Sequence, residues 1–226
     1  KGVCEVRVEG AYVNFFVDRK IFAEEVLKKG CGKTVKKNGK KIVIDMSSPN
    51  IAKPFGVGHL RSTIIGNSIG KICEANGFEV VKVNYLGDWG TQFGKIILGW
   101  KKWGNEAELK KDAIGHLQKL YVRISASDEF DEEARVEFKK LEERDEENLG
   151  LWKRFRDLSL DKFQKIYDLL GVSFDVVSGE SLYVEKGEAV VSGLKKKKLL
   201  KEDEGAQIVD LSEEKLGVLL IKKSDG

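Results

Sequence analysis

The stretch from Ile42 to Tyr85 limits what this chain can fold into more than any other. An apolar run, Ile42-Val43-Ile44, leads into Ser47-Ser48-Pro49-Asn50 and a turn-rich segment from Pro54 to Gly58, so that one loop holds both prolines of the chain. From Leu60 to Ala75, Ile64 and Ile65, Ile69, and Ile72 and Cys73 recur at helical spacing, and Asn76-Gly77 supplies the stop signal. Phe78 to Tyr85, carrying Val80, Val81 and Val83, reads as a second strand. Strand, loop, helix and strand of these lengths predict a right-handed β-α-β unit whose strands, over 41–46 and 79–84, are parallel. The helix is expected to bury Ile65, Ile69 and Ile72 against them. The loop after the first strand of such a unit opens at the carboxyl edge of the sheet, where open α/β folds bind ligands, and this makes residues 47–61 the prime site candidate.

Upstream lies an alternating stretch with Val6, Val8 and residues 11–17, then an amphipathic segment from Arg19 to Lys29. Lys37-Asn38-Gly39-Lys40, between Thr34-Val35 and Ile42, predicts a tight hairpin. Downstream the pattern turns helical over Thr91 to Trp103, Glu106 to Ile124, and a long charged stretch from Glu129 to Leu170. In its last part Trp152, Phe155, Phe163, Ile166 and Leu170 are expected to pack a helical core, not a cofactor. Short strands follow over 173–177, 206–211 and 217–221, with Lys195 to Lys198 read as a solvated helix end. The fold class is α/β.

Composition narrows the function classes. Lys and Arg total 40 against 37 Asp and Glu, a net charge of +3 that by itself indicates no nucleic-acid partner. The 3 cysteines, Cys4, Cys31 and Cys73, form no Cys-x-x-Cys pair, so neither a disulfide framework nor a metal site is expected. No apolar run approaches the ~20 residues of a membrane span and no signal segment opens the chain, which predicts a cytoplasmic location. The chain opens on Lys1 and closes just after an apolar run, as a portion of a longer protein would.

Gly56-Val57-Gly58-His59-Leu60-Arg61 begins like a dinucleotide fingerprint, but Arg61 takes the place of the third glycine. The second strand also ends at Asn84-Tyr85, without the acid that would hold a ribose, so a nicotinamide or flavin cofactor is set aside. The loop does offer glycines that admit a ligand to the backbone, the free N–H groups of a helix start, and Lys53 and His59. These are the parts of a phosphate site.

Three blocks carry a family resemblance: Ser47-Ser48-Pro49-Asn50-Ile51-Ala52-Lys53-Pro54, Gly58-His59-Leu60-Arg61-Ser62-Thr63-Ile64-Ile65-Gly66, and Asn84-Tyr85-Leu86-Gly87-Asp88-Trp89-Gly90-Thr91-Gln92-Phe93-Gly94. Together they resemble the catalytic-domain signatures of arginyl-tRNA synthetases, the eukaryotic cytosolic type being the nearest. Asn105, Trp152-Lys153-Arg154-Phe155-Arg156, Asp175, Ser178-Gly179-Glu180-Ser181 and Lys223-Ser224-Asp225-Gly226 follow in that family's order. The resemblance implies a Rossmann-like parallel sheet with a mainly helical connective insertion. Residues 1–34 would be a junction from an N-terminal tRNA-binding domain, 35–94 the first half of the catalytic domain, and 95–226 the insertion leading back towards a second half beyond Gly226.

It also implies the chemistry: arginine and ATP, with magnesium, give arginyl-adenylate, and the tRNA 3′ end accepts the arginyl group, in an enzyme that is usually a monomer. Carried over by motif, Lys53 and His59 would be catalytic, with Gly56, Gly58, His59 and Lys53 binding ATP. Asp45, Ser48, Asn50 and Glu180 would bind arginine, the two acids facing its guanidinium. Asp88 and Trp89 read better as a turn aspartate and a core tryptophan, and His116 as an ordinary helix residue. Two positions depart from the family pattern: Gly56 replaces the first histidine of the HxGH signature, and Asp45 stands where a longer acid is usual. Those departures leave open an alternative, a synthetase-derived, non-catalytic RNA- or protein-binding factor with a degenerate HxGH loop.

Overall fold

The computed structural model describes residues 3–29 and 35–223. Its first elements are an antiparallel hairpin of β1 (Val3–Glu9) and β2 (Tyr12–Val17), then α1 (Arg19–Lys29), capped by the Asp18 carboxylate, which accepts from the N–H groups of Lys20 and Ile21. The apolar side chains of this region find little cover. Tyr12, Phe15, Phe22 and Leu27 are all exposed, so the segment expected to be amphipathic buries no apolar face among the described residues.

The predicted β-α-β unit is present. β3 (Lys41–Asp45) and β4 (Glu79–Leu86) are parallel, in register from Lys41 opposite Glu79 to Asp45 opposite Val83, and α2 (Val57–Ala75) crosses between them. The inward face of α2, however, is not the isoleucine stripe. The helix turns Thr63, Gly66, Asn67 and Gly70 to the sheet and leaves Ile65, Ile69 and Ile72 at 52%, 48% and 62% exposure. Close approach decides this: a Cβ on Gly66 would lie 2.5 Å from the Cβ of Met46, and one on Gly70 would meet Ile44 and Val80. Isoleucines at those contacts would hold the helix off the strands.

The Asn38-Gly39 turn also differs from expectation. Thr34 lies outside the described residues, and no strand precedes β3 over 35–40. The Asn38 N–H donates instead to the Gly77 carbonyl at 2.9 Å, and the Asn38 side-chain oxygen accepts from the Lys40 N–H at 2.8 Å. The turn therefore clasps the end of α2, where an Asx-type bond serves as well as a hairpin would.

Five helices follow: α3 (Gln92–Trp103), α4 (Glu106–Lys111), α5 (Ala113–Ser125), α6 (Asp131–Glu142) and α7 (Glu146–Leu170). The segment read as one helix over 106–124 breaks at Asp112, whose carboxylate caps α5 at the Gly115 N–H. The long charged stretch breaks at Arg144, with φ of 62°, and Asp145 caps α7. Phe155 and Phe163 are fully buried in this helical layer, as their spacing predicts, together with Phe93, Ile96, Leu117 and Leu141, whereas Trp152, Ile166 and Leu170 are half-buried. His116 accepts at Nε2 from the Asn105 N–H, a structural contact.

After α7 the chain returns as β5 (Val176–Gly179), parallel to β4, which completes a sheet of order β3-β4-β5. That strand starts later than residue 173 because Asp175 is spent on the sheet edge, its carboxylate accepting from the Lys82 N–H at 2.7 Å. α8 (Gly187–Lys196) ends in the exposed lysines, and β6 (Lys201–Asp203), β7 (Ala206–Leu211) and β8 (Gly217–Lys222) form an antiparallel meander. Among the described residues no helix is long and apolar enough to cross a membrane.

Candidate active site

The loop that leaves β3 takes a path few residues adopt freely. Ser47, Ser48 and Ala52 have φ of 74°, 49° and 57°, each in the left-handed region that costs a non-glycine residue about 1–2 kcal/mol. Side chains from elsewhere hold it there. The Ser47 N–H donates to Ser62 Oγ at 3.0 Å, and Ser47 Oγ lies 2.8 Å from the buried Tyr167 hydroxyl. The Ser48 N–H donates to Asn84 Oδ1 at 3.2 Å, and Asn84 Nδ2 donates to the same Tyr167 hydroxyl at 3.2 Å. The Ala52 N–H donates to Ser159 Oγ at 2.9 Å. Both Ser159 and Tyr167 belong to α7.

Ser48 Oγ donates to Asp45 Oδ1 at 3.1 Å, and both side chains are exposed at the carboxyl edge of the sheet. Asn50 makes an isolated parallel bridge to Gly87, just past the end of β4, and a side chain at 87 would run into the Asn50 amide. Lys53 stands apart. Its ammonium lies 5.2 Å from the centre of the Tyr121 ring and makes no hydrogen bond or ion pair among the described residues.

Gly56 is the N-cap of α2, and its N–H donates to His59 Nδ1 at 3.1 Å, the back-reaching half of a capping box. Because Nδ1 accepts, the neutral imidazole carries its proton on Nε2, which is left as a donor at the helix start. A Cβ on Gly58 would meet open space, so a ligand can approach the backbone there.

Across the site, Glu180 accepts the Trp89 N–H at 3.3 Å. Asp88, with no exposed surface, accepts from the Ser181 N–H, Ser181 Oγ and Arg156 Nε at 2.9, 2.8 and 3.1 Å, while its backbone carbonyl takes the Trp152 indole N–H at 2.7 Å. Trp89 stacks edge-on against Trp152. Asp88 and Trp89 thus act as framework, in line with their sequence reading. Burial pushes the Tyr85 hydroxyl pKa up, and Glu180, Tyr183, Asp88 and Asp45 add to the shift, so the two acids expected at the site bear on one aromatic ring. The structure joins Asp45 to Ser48 and couples His59 to Gly56 at the helix start, while Glu180 is held on the Trp89 N–H.

The sequence model of the tRNA synthetases class I (R) catalytic domain matches residues 22–226 of this chain. The chain belongs to the catalytic-domain family of class I arginyl-tRNA synthetases. It is 51% identical, over 100% of its own length, to 42% of an arginine--tRNA ligase of Latilactobacillus sakei, and 50% identical, over 98%, to 41% of that of Pediococcus pentosaceus. The crystal structure of arginyl-tRNA synthetase from Plasmodium falciparum superposes with a TM-score of 0.68 at 30% identity, covering 99% of this chain and 41% of that one. The chain spans about two fifths of the length of the synthetases it matches. Strong likeness to lactic acid bacterial relatives means that the resemblance is not confined to the eukaryotic cytosolic type.

The motifs did not mark Asn84, Tyr85, Ser159 and Tyr167 as residues that build the site. Two signals could have found them. Asn84 and Tyr85 end the strand beside the loop, and Phe155, Ser159, Phe163 and Tyr167 form one buried stripe at four-residue spacing in which a serine and a phenol need partners.

Proposed function

We propose that the full-length protein is an arginine--tRNA ligase and that this chain supplies the first half of its active site. In this reading the arginine carboxylate attacks the α-phosphate of ATP, pyrophosphate leaves, and a ribose hydroxyl at the tRNA 3′ end then takes the arginyl group from the adenylate as AMP departs. The observation that carries it is the Gly56–His59 contact, which leaves the imidazole Nε2–H as a donor beside the open backbone at Gly58. His59 would donate there to a phosphate oxygen, and the N–H groups of the α2 start, free of any acidic residue in the first turn, would favour the growing negative charge. Lys53 would swing from the Tyr121 face to neutralise the same phosphates.

Ser48 and Asn50 would hold the α-amino and carboxylate groups of arginine, and Asp45 and Glu180 would face its guanidinium. No side chain is acylated, so the work is positioning and charge neutralisation. Magnesium would arrive bound to ATP. Among the described residues no three His, Cys, Asp or Glu side chains converge. The imidazole missing at Gly56 favours one second reading, a non-catalytic RNA- or protein-binding factor. Arginine-dependent ATP–pyrophosphate exchange by the full-length protein with cognate tRNA decides between them: exchange is expected, and its absence with retained RNA binding would favour the second.

A further inference from the structure

Three left-handed residues, Ser47, Ser48 and Ala52, shape the loop that carries Ser48 and Asn50, and two of them are held by one phenol. The Tyr167 hydroxyl lies 2.8 Å from Ser47 Oγ and 3.2 Å from Asn84 Nδ2, while Asn84 Oδ1 accepts from the Ser48 N–H at 3.2 Å. The phenol, the amide and the two serines thus form one closed set of hydrogen bonds. Tyr167 is 3% exposed and its ring is fixed by Phe55 and Phe174, with centroids 5.8 and 4.8 Å away, so its hydroxyl has one place to point.

We propose that Tyr167 is a positioning residue for the amino-acid substrate: through Ser47 and Asn84 it sets the backbone on which Ser48 and Asn50 are presented, although it touches no substrate itself. The inference rests on the reading of Ser48 and Asn50 as the arginine-holding residues. It separates the two substrates. The phosphate side, Gly56 to His59, is shaped by its own capping contact, whereas the amino-acid side depends on a hydroxyl from α7.

Tyr167→Phe in the full-length protein keeps the ring packing and removes only the hydroxyl. In arginine-dependent exchange the KM for arginine should rise about five- to tenfold, the size of one lost hydrogen bond, with the KM for ATP within about twofold of the wild type. Ser47→Ala, which removes the other end of the same contact, should shift the arginine KM in the same direction. Ile124→Ala, a buried apolar change in a separate cluster with Leu98 and Ala134, should lower the thermal midpoint and leave both KM values in place. An unchanged arginine KM in Tyr167→Phe, equal rises for both substrates, or an equal effect of Ile124→Ala would overturn the proposal. Asn50→Ala distinguishes that failure from failure of the underlying reading: if it too leaves the arginine KM unchanged, or the wild type neither exchanges nor binds arginine by calorimetry, the site assignment falls and the role of Tyr167 with it.

Discussion

Arg156 on α7 meets the carboxylate of Asp88 at 3.1 Å, where Asp88 has no exposed surface at all, and this buried pair ties the helical layer to the turn after β4. The same carboxylate takes both the N–H and the hydroxyl of Ser181, so it also fixes the residue that follows Glu180. One side chain therefore joins α7, β4 and β5.

Asp88→Ala leaves Arg156 and both Ser181 donors without their acceptor. Arg156 keeps 23% of its side chain exposed and can turn to water, so the loss should fall short of a fully buried pair, and urea unfolding should read about 2–3 kcal/mol. Ser181→Ala, which gives up a single hydroxyl bond, should cost about 1 kcal/mol.

Glu137 contributes to the pH dependence of the helical layer. Burial opposes its charge, but hydrogen bonds from Lys101, Lys140 and Asn148 outweigh it and hold the carboxyl at about 2. The folded pKa lies below the ordinary 4.5, so the stabilisation is complete above about pH 5 and fades as pH falls towards 2, on the order of 2–3 kcal/mol in all. Unfolding free energies at pH 6 and pH 3 should show this loss in the wild type, and Glu137→Gln should flatten it.

Gly66→Ala should destabilise by about 1–3 kcal/mol, since the added methyl meets Met46 and the helix must lift from the sheet. Ile69→Lys, on the opposite face of α2 and 48% exposed, should change stability by less than about 0.5 kcal/mol. A pattern of the reverse sign in chemical denaturation would mean that the isoleucines, not the glycines, face the strands.

His59 acts through Nε2 in the proposed reaction, because Nδ1 is occupied by the Gly56 N–H. A glutamine amide nitrogen reaches nearly as far as Nε2 and an asparagine does not. His59→Gln should therefore keep more exchange activity than His59→Asn, whose loss should approach the hundredfold typical of a missing preorganised donor. Equal loss in both would point to a role at the helix cap alone.

The β-α-β unit was legible because apolar runs and a helical stop signal lie in one order that few topologies accept. β7 matched its predicted ends, 206 and 211. The inward face of α2 was not legible, since hydrophobic periodicity weighs large side chains, and close packing on a sheet selects small ones such as Gly66 and Gly70. Asp112 and Arg144 hid helix breaks because charged residues suit an exposed helix as well as its end. At the site, Ser48, Asn50 and His59 stood out by motif and by their place at the sheet edge. Tyr167 did not, because its partner Ser47 is 120 positions away and no local pattern links a phenol in one helix to a serine in a distant loop.

Trp152, Arg156, Ser159 and Tyr167 all sit on α7 and reach the loops after both β3 and β4. That helix is consequently a poor seam for building chimaeras. A graft that exchanges it with a relative's, however well its apolar face fits, transplants the loops' geometry along with it, and a donor lacking any of the four polar contacts would deliver a folded hybrid with a mis-set mouth.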